Sequence, residues 1–290
     1  MLRAEVLPLT APAPAAAYAT CRRMLRRHDP TYYLAVSRLP RERRPAVHAL
    51  YGFVRGADEI VDGAGSGLPP HERRAALDEW QRELERGVAT GRCDHPVIAA
   101  LVHAAGAYEL PVEELRPYMA SMRMDCGRFR IQTREDLERY MDGSGASVGR
   151  IMAVILGAPH ESERLGRLGV AFQLTNFLRD LREDYVLDRI YLPADERERH
   201  GVGESDLAAA NASPALRQLV ASEVRNAREL FHEATPALLT AIPSARRGIG
   251  LARAVYGAVL DRIEQNGYDV LGRVSRPRLV DLARIAVSSR

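Results

Sequence analysis

The 290-residue chain contains no lysine; all 41 basic side chains are arginine, set against 38 acidic ones for a net charge of +3. That near balance excludes the strong positive field of a dedicated nucleic-acid binder, so no nucleic-acid partner is expected. The arginine bias is most simply a trace of a GC-rich coding genome. Cysteine is scarce: Cys21, Cys93 and Cys126 are widely spaced, with no CxxC pair. Neither a disulfide framework nor a thiolate zinc site is indicated. No stretch reaches the roughly 18 consecutive apolar residues of a membrane span, and the longest weakly polar run, 96–108, holds His103 and Gly106. Glu5, Pro8, Pro12 and Pro14 interrupt any charged-then-apolar signal pattern, so a cytoplasmic protein is expected. Alternating β-branched and polar residues are almost absent, which argues against a sheet fold.

Hydrophobic residues make up 46% of the chain and charged residues 27%, enough to bury a substantial core. Apolar positions recur at helical spacing from end to end, so the fold class is all-α. A Pro/Ala arm over 1–13 precedes one domain over 14–290. Helices are expected near 14–28, 40–62, 69–88, 95–107, 111–127, 133–157, 160–187, 213–240, 243–267 and 276–288. Thr133 with Asp136 reads as a capping box, and Ser213 before Pro214 as a cap ahead of a first-turn proline. The segment 188–203, with Pro193 and glycines at 201 and 203, reads as a mobile surface loop.

Two stretches carry chemistry. In the first, Tyr51, Arg55, Asp58 and Asp62 are spaced four, three and four apart, which puts them on one helical face. Asp is a poor helix former and an i,i+4 Asp pair repels itself, a conflict that a bound cation resolves. Oxygen-only ligands suit Mg²⁺, with water and substrate phosphate completing its shell. Alone, this face reads equally well as solvated surface. The second stretch repeats the device: Gln173, Asn176, Asp180 and Asp184 step by three, four and four beside Leu174, Phe177, Leu178 and Leu181. A polar stripe in such apolar company points to a lined interior cavity. Two such helices face to face would surround metal ions with four carboxylates, an arrangement suited to a diphosphate group. Arg55, Arg179, Arg189 and Arg273 are candidates to complete the clamp, since guanidinium binds phosphate oxygens through paired donors.

The ordered set His28-Asp-Pro-Thr-Tyr-Tyr33, Asp58-Glu-Ile-Val-Asp62, Met122-Arg-Met-Asp125, Tyr140 with Gly145-Ala-Ser-Val-Gly149, and Gln173 to Asp180 through Arg189-Ile-Tyr191-Leu-Pro193 resembles the squalene/phytoene synthase family, and its bacterial phytoene synthases most. The resemblance spans nearly the whole chain. It implies a single all-α isoprenoid synthase domain around a central cavity, with Asp58, Asp62, Asp180, Asp184 and Asn176 holding Mg²⁺ (Mn²⁺ as a substitute) and Gln173 lining the same site. Arg55, Arg179, Arg189 and Arg273 would contact diphosphate, and the motif residues His28, Thr31 and Tyr191 would lie on the substrate side. Tyr51, Tyr140 and Tyr256 would surround the cavity and orient substrate or steady cationic carbon; ordinary core packing is the alternative for each. The family's usual Gly before Arg189 is Asp188 here, and the stretch at Gly143-Ser-Gly145 is unusually small and flexible.

The implied reaction is a head-to-head condensation of two prenyl diphosphates. With geranylgeranyl diphosphate it would give phytoene and require no NADPH. Squalene or dehydrosqualene synthesis from farnesyl diphosphate, and a cyclase or transferase acting on one prenyl diphosphate, are the enzymatic alternatives. A silent helical partner protein is the non-enzymatic one, whose signature would be loss of an Asp pair. Apolar substrate tails and product imply peripheral membrane contact at the inner face of the cell membrane. The oligomeric state is open.

Overall fold

The computed structural model describes residues 15–63, 67–273 and 275. The arm at 1–13 and the expected helix at 276–288 lie outside them. The helices are α1 (Ala15–His28), α2 (Pro30–Val36), α3 (Arg44–Asp62), α4 (Pro70–Thr90), α5 (Pro96–Tyr108), α6 (Leu115–Met124), α7 (Arg134–Met141), α8 (Ser147–Ile155), α9 (Ser162–Arg179), α10 (Leu181–Val186), α11 (Ala194–Arg199), α12 (Glu204–Ala208), α13 (Pro214–Ala241) and α14 (Arg246–Gln265). The two legible caps form as read. Thr133 and Asp136 make a reciprocal capping box, and the Ser213 side chain accepts from the Leu216 N–H ahead of Pro214.

Helix α2 has the start signal that sequence inspection passed over. Asp29 accepts from the Tyr32 N–H at 2.7 Å, and Pro30 sits in the first turn, where its missing N–H costs nothing. The stretch expected as one helix over 133–157 is interrupted. Between α7 and α8, residues Asp142–Ala146 form a π-helical turn whose Gly143, Ser144, Gly145 and Ala146 are all buried. The small residues there serve close packing, contrary to the expected flexibility. A Cβ on Gly169 of α9 would lie 2.3 Å from the Gly145 carbonyl oxygen, and one on Gly145 would lie 2.8 Å from the Gly169 oxygen. Only two glycines let these backbones meet. The 160–187 stretch likewise divides at Asp180 into α9 and α10.

Helix α9 packs against α8, α13 and α14, while α3 packs against α1, α4 and α5. The core between them is filled by fully buried side chains such as Phe53, Leu101, Met119, Leu178 and Leu216, each contributing about 1.5–3 kcal/mol of burial.

The 188–203 segment is not a mobile surface loop. Arg189–Ile190 form β2, which pairs in parallel with β1 (Phe129–Arg130) in the register Phe129 to Arg189. Ile190, Tyr191 and Leu192 are buried, and α11 follows directly. Asp188, Glu198 and Arg199 are exposed, whereas Arg189 and Arg197 are buried with the apolar residues that fix the segment.

Candidate active site

Helices α2, α3, α6, α8, α9 and α14 enclose a cavity of about 460 Å³. One end is charged, lined by Asp58, Asp62, Asp125, Asp180, Asp184, Arg179 and Arg189; the other is apolar, with Ala35, Val36, Leu39, Ile249 and Ala252 in its wall. Tyr51, Tyr140, Tyr191, Tyr256, Gln173 and Asn176 also line it. The two acidic stretches thus face one space.

Each Asp pair is met by an arginine. Arg189, 4% exposed, donates from Nη2 to Asp62 at 2.5 Å and from Nη1 at 3.1 Å. Arg179 donates to Asp180 at 2.7 and 2.5 Å. The remaining member of each pair has no such partner. Burial, opposed by Arg55, raises the Asp58 carboxyl to about 6. Burial, with Asp180 nearby, raises Asp184 to about 8. Tyr118 directs its hydroxyl at Asp58 (3.1 Å) and at the Val54 carbonyl (3.2 Å). The site therefore holds more negative charge than its arginines neutralise.

The donor set fits Mg²⁺. Its ligand atoms are all oxygens, Asp58 and Asp184 are driven toward protonation when no cation is present, and the Asn176 Oδ1 is buried with no hydrogen-bond partner. Among the described residues, no three Asp, Glu, His or Cys groups stand close enough to hold an ion as they are. The carboxylates stand instead as two arginine-bound pairs.

Asp125, quoted in the sequence motif without a role, ties this end together. Tyr140 donates to its Oδ2 at 2.5 Å, Tyr191 donates to its Oδ1 at 2.7 Å, and Arg189 Nε donates to its carbonyl at 3.0 Å. Its carboxyl is pushed up to about 6, chiefly by burial, with Arg189 and the two phenols pulling the other way. Tyr191 stacks on Phe177 with centroids 4.0 Å apart, and Tyr140 lies 5.2 Å from Tyr191. An Asp closing a helix C-terminus opposes the helix dipole, a sequence signal that could have singled it out.

Asp188 fills the place of the glycine. Its φ of 61° is left-handed, a conformation Asp tolerates better than most side chains. Arg130 donates to its carbonyl and to its carboxylate, each at 2.5 Å. These contacts hold the left-handed turn from which Arg189 enters the cavity wall.

Four of the expected contact residues are not brought to the cavity. Arg55 turns from the lining stripe and pairs with Glu59 one turn on, although its charge still reaches Asp58. His28 is exposed and Thr31 half-buried, outside the wall; their neighbours Asp29 and Tyr32 line it instead. Arg273 is exposed and away from the cavity lining. Arg55, His28 and Thr31 each stand next to a residue that does line the cavity, Val54, Asp29 and Tyr32, whereas Arg273 lies beyond the end of α14. Phe172, also missed, lies tilted against Tyr256 with ring centroids 4.2 Å apart.

An all-helical shell around one cavity, with paired carboxylates and arginines at one end and an apolar wall at the other, defines the isoprenoid synthase class. The chain belongs to the squalene/phytoene synthase family, whose model matches residues 25–281, and so to the prenyltransferases. It is 38% identical over 252 residues to a phytoene synthase of Thermus thermophilus, covering 87% of this chain and 84% of that one. It is 33% identical to a 15-cis-phytoene synthase of Synechocystis sp., covering 92% and 85%. Among solved structures, a dehydrosqualene synthase in complex with ligand matches with a TM-score of 0.86 at 25% identity over 95% of both chains. A squalene synthase from Alicyclobacillus acidocaldarius matches with a TM-score of 0.77 at 29% identity, covering 91% and 96%. No described helix is long and apolar enough to cross a membrane.

Proposed function

We propose that this protein condenses two molecules of geranylgeranyl diphosphate head to head, through a cyclopropylcarbinyl diphosphate, to give phytoene and two diphosphates. The observation that carries the reading is the polarity of the cavity: a charged end lined by both Asp pairs, continuous with aromatic and then apolar lining. Relatives at 38% and 33% identity that are phytoene synthases support geranylgeranyl over farnesyl diphosphate. The dehydrosqualene synthase likeness keeps C30 coupling as the second reading.

Asp58, Asp62, Asp180, Asp184 and Asn176 would hold Mg²⁺, with Mn²⁺ as a substitute. When bound, the metal supplies the positive charge against which diphosphate departs. Arg179 and Arg189 already sit at that end and offer paired donors to phosphate oxygens as they exchange from Asp180 and Asp62. Tyr51, Tyr256 and Phe172 present ring faces to the allylic carbon, where a cation is attracted by the ring quadrupole. The apolar wall limits the access of water that would quench it. The acceptor double bond attacks the donor cation; ionisation of the cyclopropyl intermediate, rearrangement and proton loss finish the triene, with no reductant consumed. Apolar tails and an apolar product make peripheral membrane contact part of the same reading.

The test is product analysis. Purified protein is given Mg²⁺ and either geranylgeranyl or farnesyl diphosphate, with and without NADPH, and the organic phase is read by mass spectrometry. A C40 hydrocarbon formed without NADPH, and stopped by EDTA, is expected. A C30 hydrocarbon formed from farnesyl diphosphate alone moves the chain to the squalene or dehydrosqualene branch.

A further inference from the structure

Behind the apolar end of the cavity lies a second concavity of about 570 Å³, open to the outer surface between the α2–α3 turn and the start of α14. Arg38, Arg41, Arg44, Arg246 and Arg247 line it, and no carboxylate does. None of the five is ion-paired with a described residue. Among the described residues, Arg44 and Arg246 each spend only Nε, on the Leu39 carbonyl at 2.9 Å and the Leu239 carbonyl at 3.0 Å. The Arg38 Nε is buried without any partner.

Two long helices also begin at this place, α3 at Arg44 and α14 at Arg246. Neither has a side-chain cap or an acidic residue in its first turn. A helix N-terminus carries about half a positive charge and favours Asp or Glu there. Here both ends carry arginine instead, so five guanidinium groups and two helix N-termini converge on a concavity that no carboxylate lines among the described residues; Glu42, in the same turn, is exposed and outside that lining. Such a place is built for anionic phosphate.

The wall behind the concavity identifies the source of that phosphate. Leu39 lines both this concavity and the catalytic cavity. A Cβ on Gly248 of α14 would lie 2.5 Å from Leu39 Cδ2 and 3.1 Å from the Ala35 carbonyl oxygen, so α14 and the end of α2 meet almost backbone to backbone. On the inner side of that contact lie Ala35, Val36, Ile249 and Ala252. The arginines outside and the hydrocarbon-binding wall inside are thus one side chain apart. A bilayer surface has the same order, with phosphate outermost and hydrocarbon directly beneath, whereas a soluble phosphate has no use for the second layer.

We propose that this arginine concavity docks the protein on anionic phospholipid headgroups and sets the α2–α14 contact against the bilayer. It is there that the apolar end of the cavity comes nearest to lipid. The proposal deepens the membrane part of the functional reading by naming the surface. Its test uses no prenyl substrate, so its failure and the failure of that reading are separable.

The full chain is sedimented with vesicles of pure phosphatidylcholine or of phosphatidylcholine with phosphatidylglycerol. Binding to the anionic vesicles alone, weakening with salt, is expected. The triple variant R41Q/R246Q/R247Q, all exposed positions, is expected to lose on the order of a hundredfold in partitioning, from about 1 kcal/mol per arginine. The equally charged control R92Q/R128Q/R225Q, exposed elsewhere, keeps wild-type partitioning. Both triples keep wild-type turnover on detergent-dispersed substrate. Equal binding to the two vesicle types, or equal loss in the two triples, overturns the proposal. So does a thermal shift by inorganic diphosphate that needs Arg41, Arg246 and Arg247 without vesicle binding, which would mark a site for a soluble anion.

Discussion

Asp184 shows how a single side chain is tuned by its setting. It faces Asp180 across an intact i,i+4 backbone bond of 2.8 Å, yet Arg179 is committed to Asp180. Asp184 is left with burial and repulsion and is raised to about 8. A carboxyl whose folded value lies above its unfolded value, about 3.9, stabilises the protein most at low pH, and that contribution is lost as pH rises through about 8. Asp58 and Asp125 complete the same loss near 6. His48, lowered to about 4 by burial and by Arg22 and Arg44, acts only below its unfolded value of about 6.5. Between pH 6.5 and 8 Asp184 therefore dominates. The metal-free protein should lose up to about 1.4 kcal/mol per pH unit there, read calorimetrically as a Tm falling by about 2–4 °C per kcal/mol. Asp184→Asn should flatten that slope and raise the metal-free Tm at pH 8, while reducing turnover at least a hundredfold. A variant with the wild-type slope would show that Asp184 is not the strained group. The carboxylates themselves were legible as paired Asp in apolar surroundings. Which member of each pair an arginine would neutralise was not, because Arg189 reaches Asp62 from a distant segment.

At the scale of elements, the informative unit is the short parallel pairing of β1 with β2. Helical periodicity identified α3 and α9 because their apolar spacing is long and regular. It could not identify a two-residue bridge whose partners stand 60 positions apart, and the charges of 188–203 masked its buried Ile190, Tyr191 and Leu192. The π turn and the break at Asp180 were equally silent, since both keep helical spacing on either side. Arg189, Tyr191 and, through Asp125, Tyr140 all depend on the bridge. Its weak point is Asp188, held at φ 61° by Arg130. Asp188→Ala removes that ion pair and puts a side chain without a polar group into a left-handed conformation, which costs about 1–2 kcal/mol. Denaturant unfolding should show that loss, and turnover should fall as Arg189 loses its aim. Asp188→Gly should keep turnover, because glycine takes the same φ without strain. If the alanine variant matches wild type in both respects, the bridge does not position Arg189.

For the whole molecule, the central feature is one cavity with a charged end and an apolar end, walled by helices from both halves of the chain. The all-α class was readable from the lack of strand patterning and from helical spacing throughout. The depth of the chamber was not, because it is set by contacts such as Gly145 against Gly169, which spacing does not reveal. A chamber of this kind with both Asp pairs intact is claimed to join two prenyl diphosphates, and the claim has a direct numerical consequence. Diphosphate release and hydrocarbon formation should be measured together in one reaction with geranylgeranyl diphosphate and Mg²⁺. Two diphosphates for every C40 hydrocarbon is the ratio the account predicts, whereas one diphosphate for every C20 product would keep the proposed metal site and contradict the coupling.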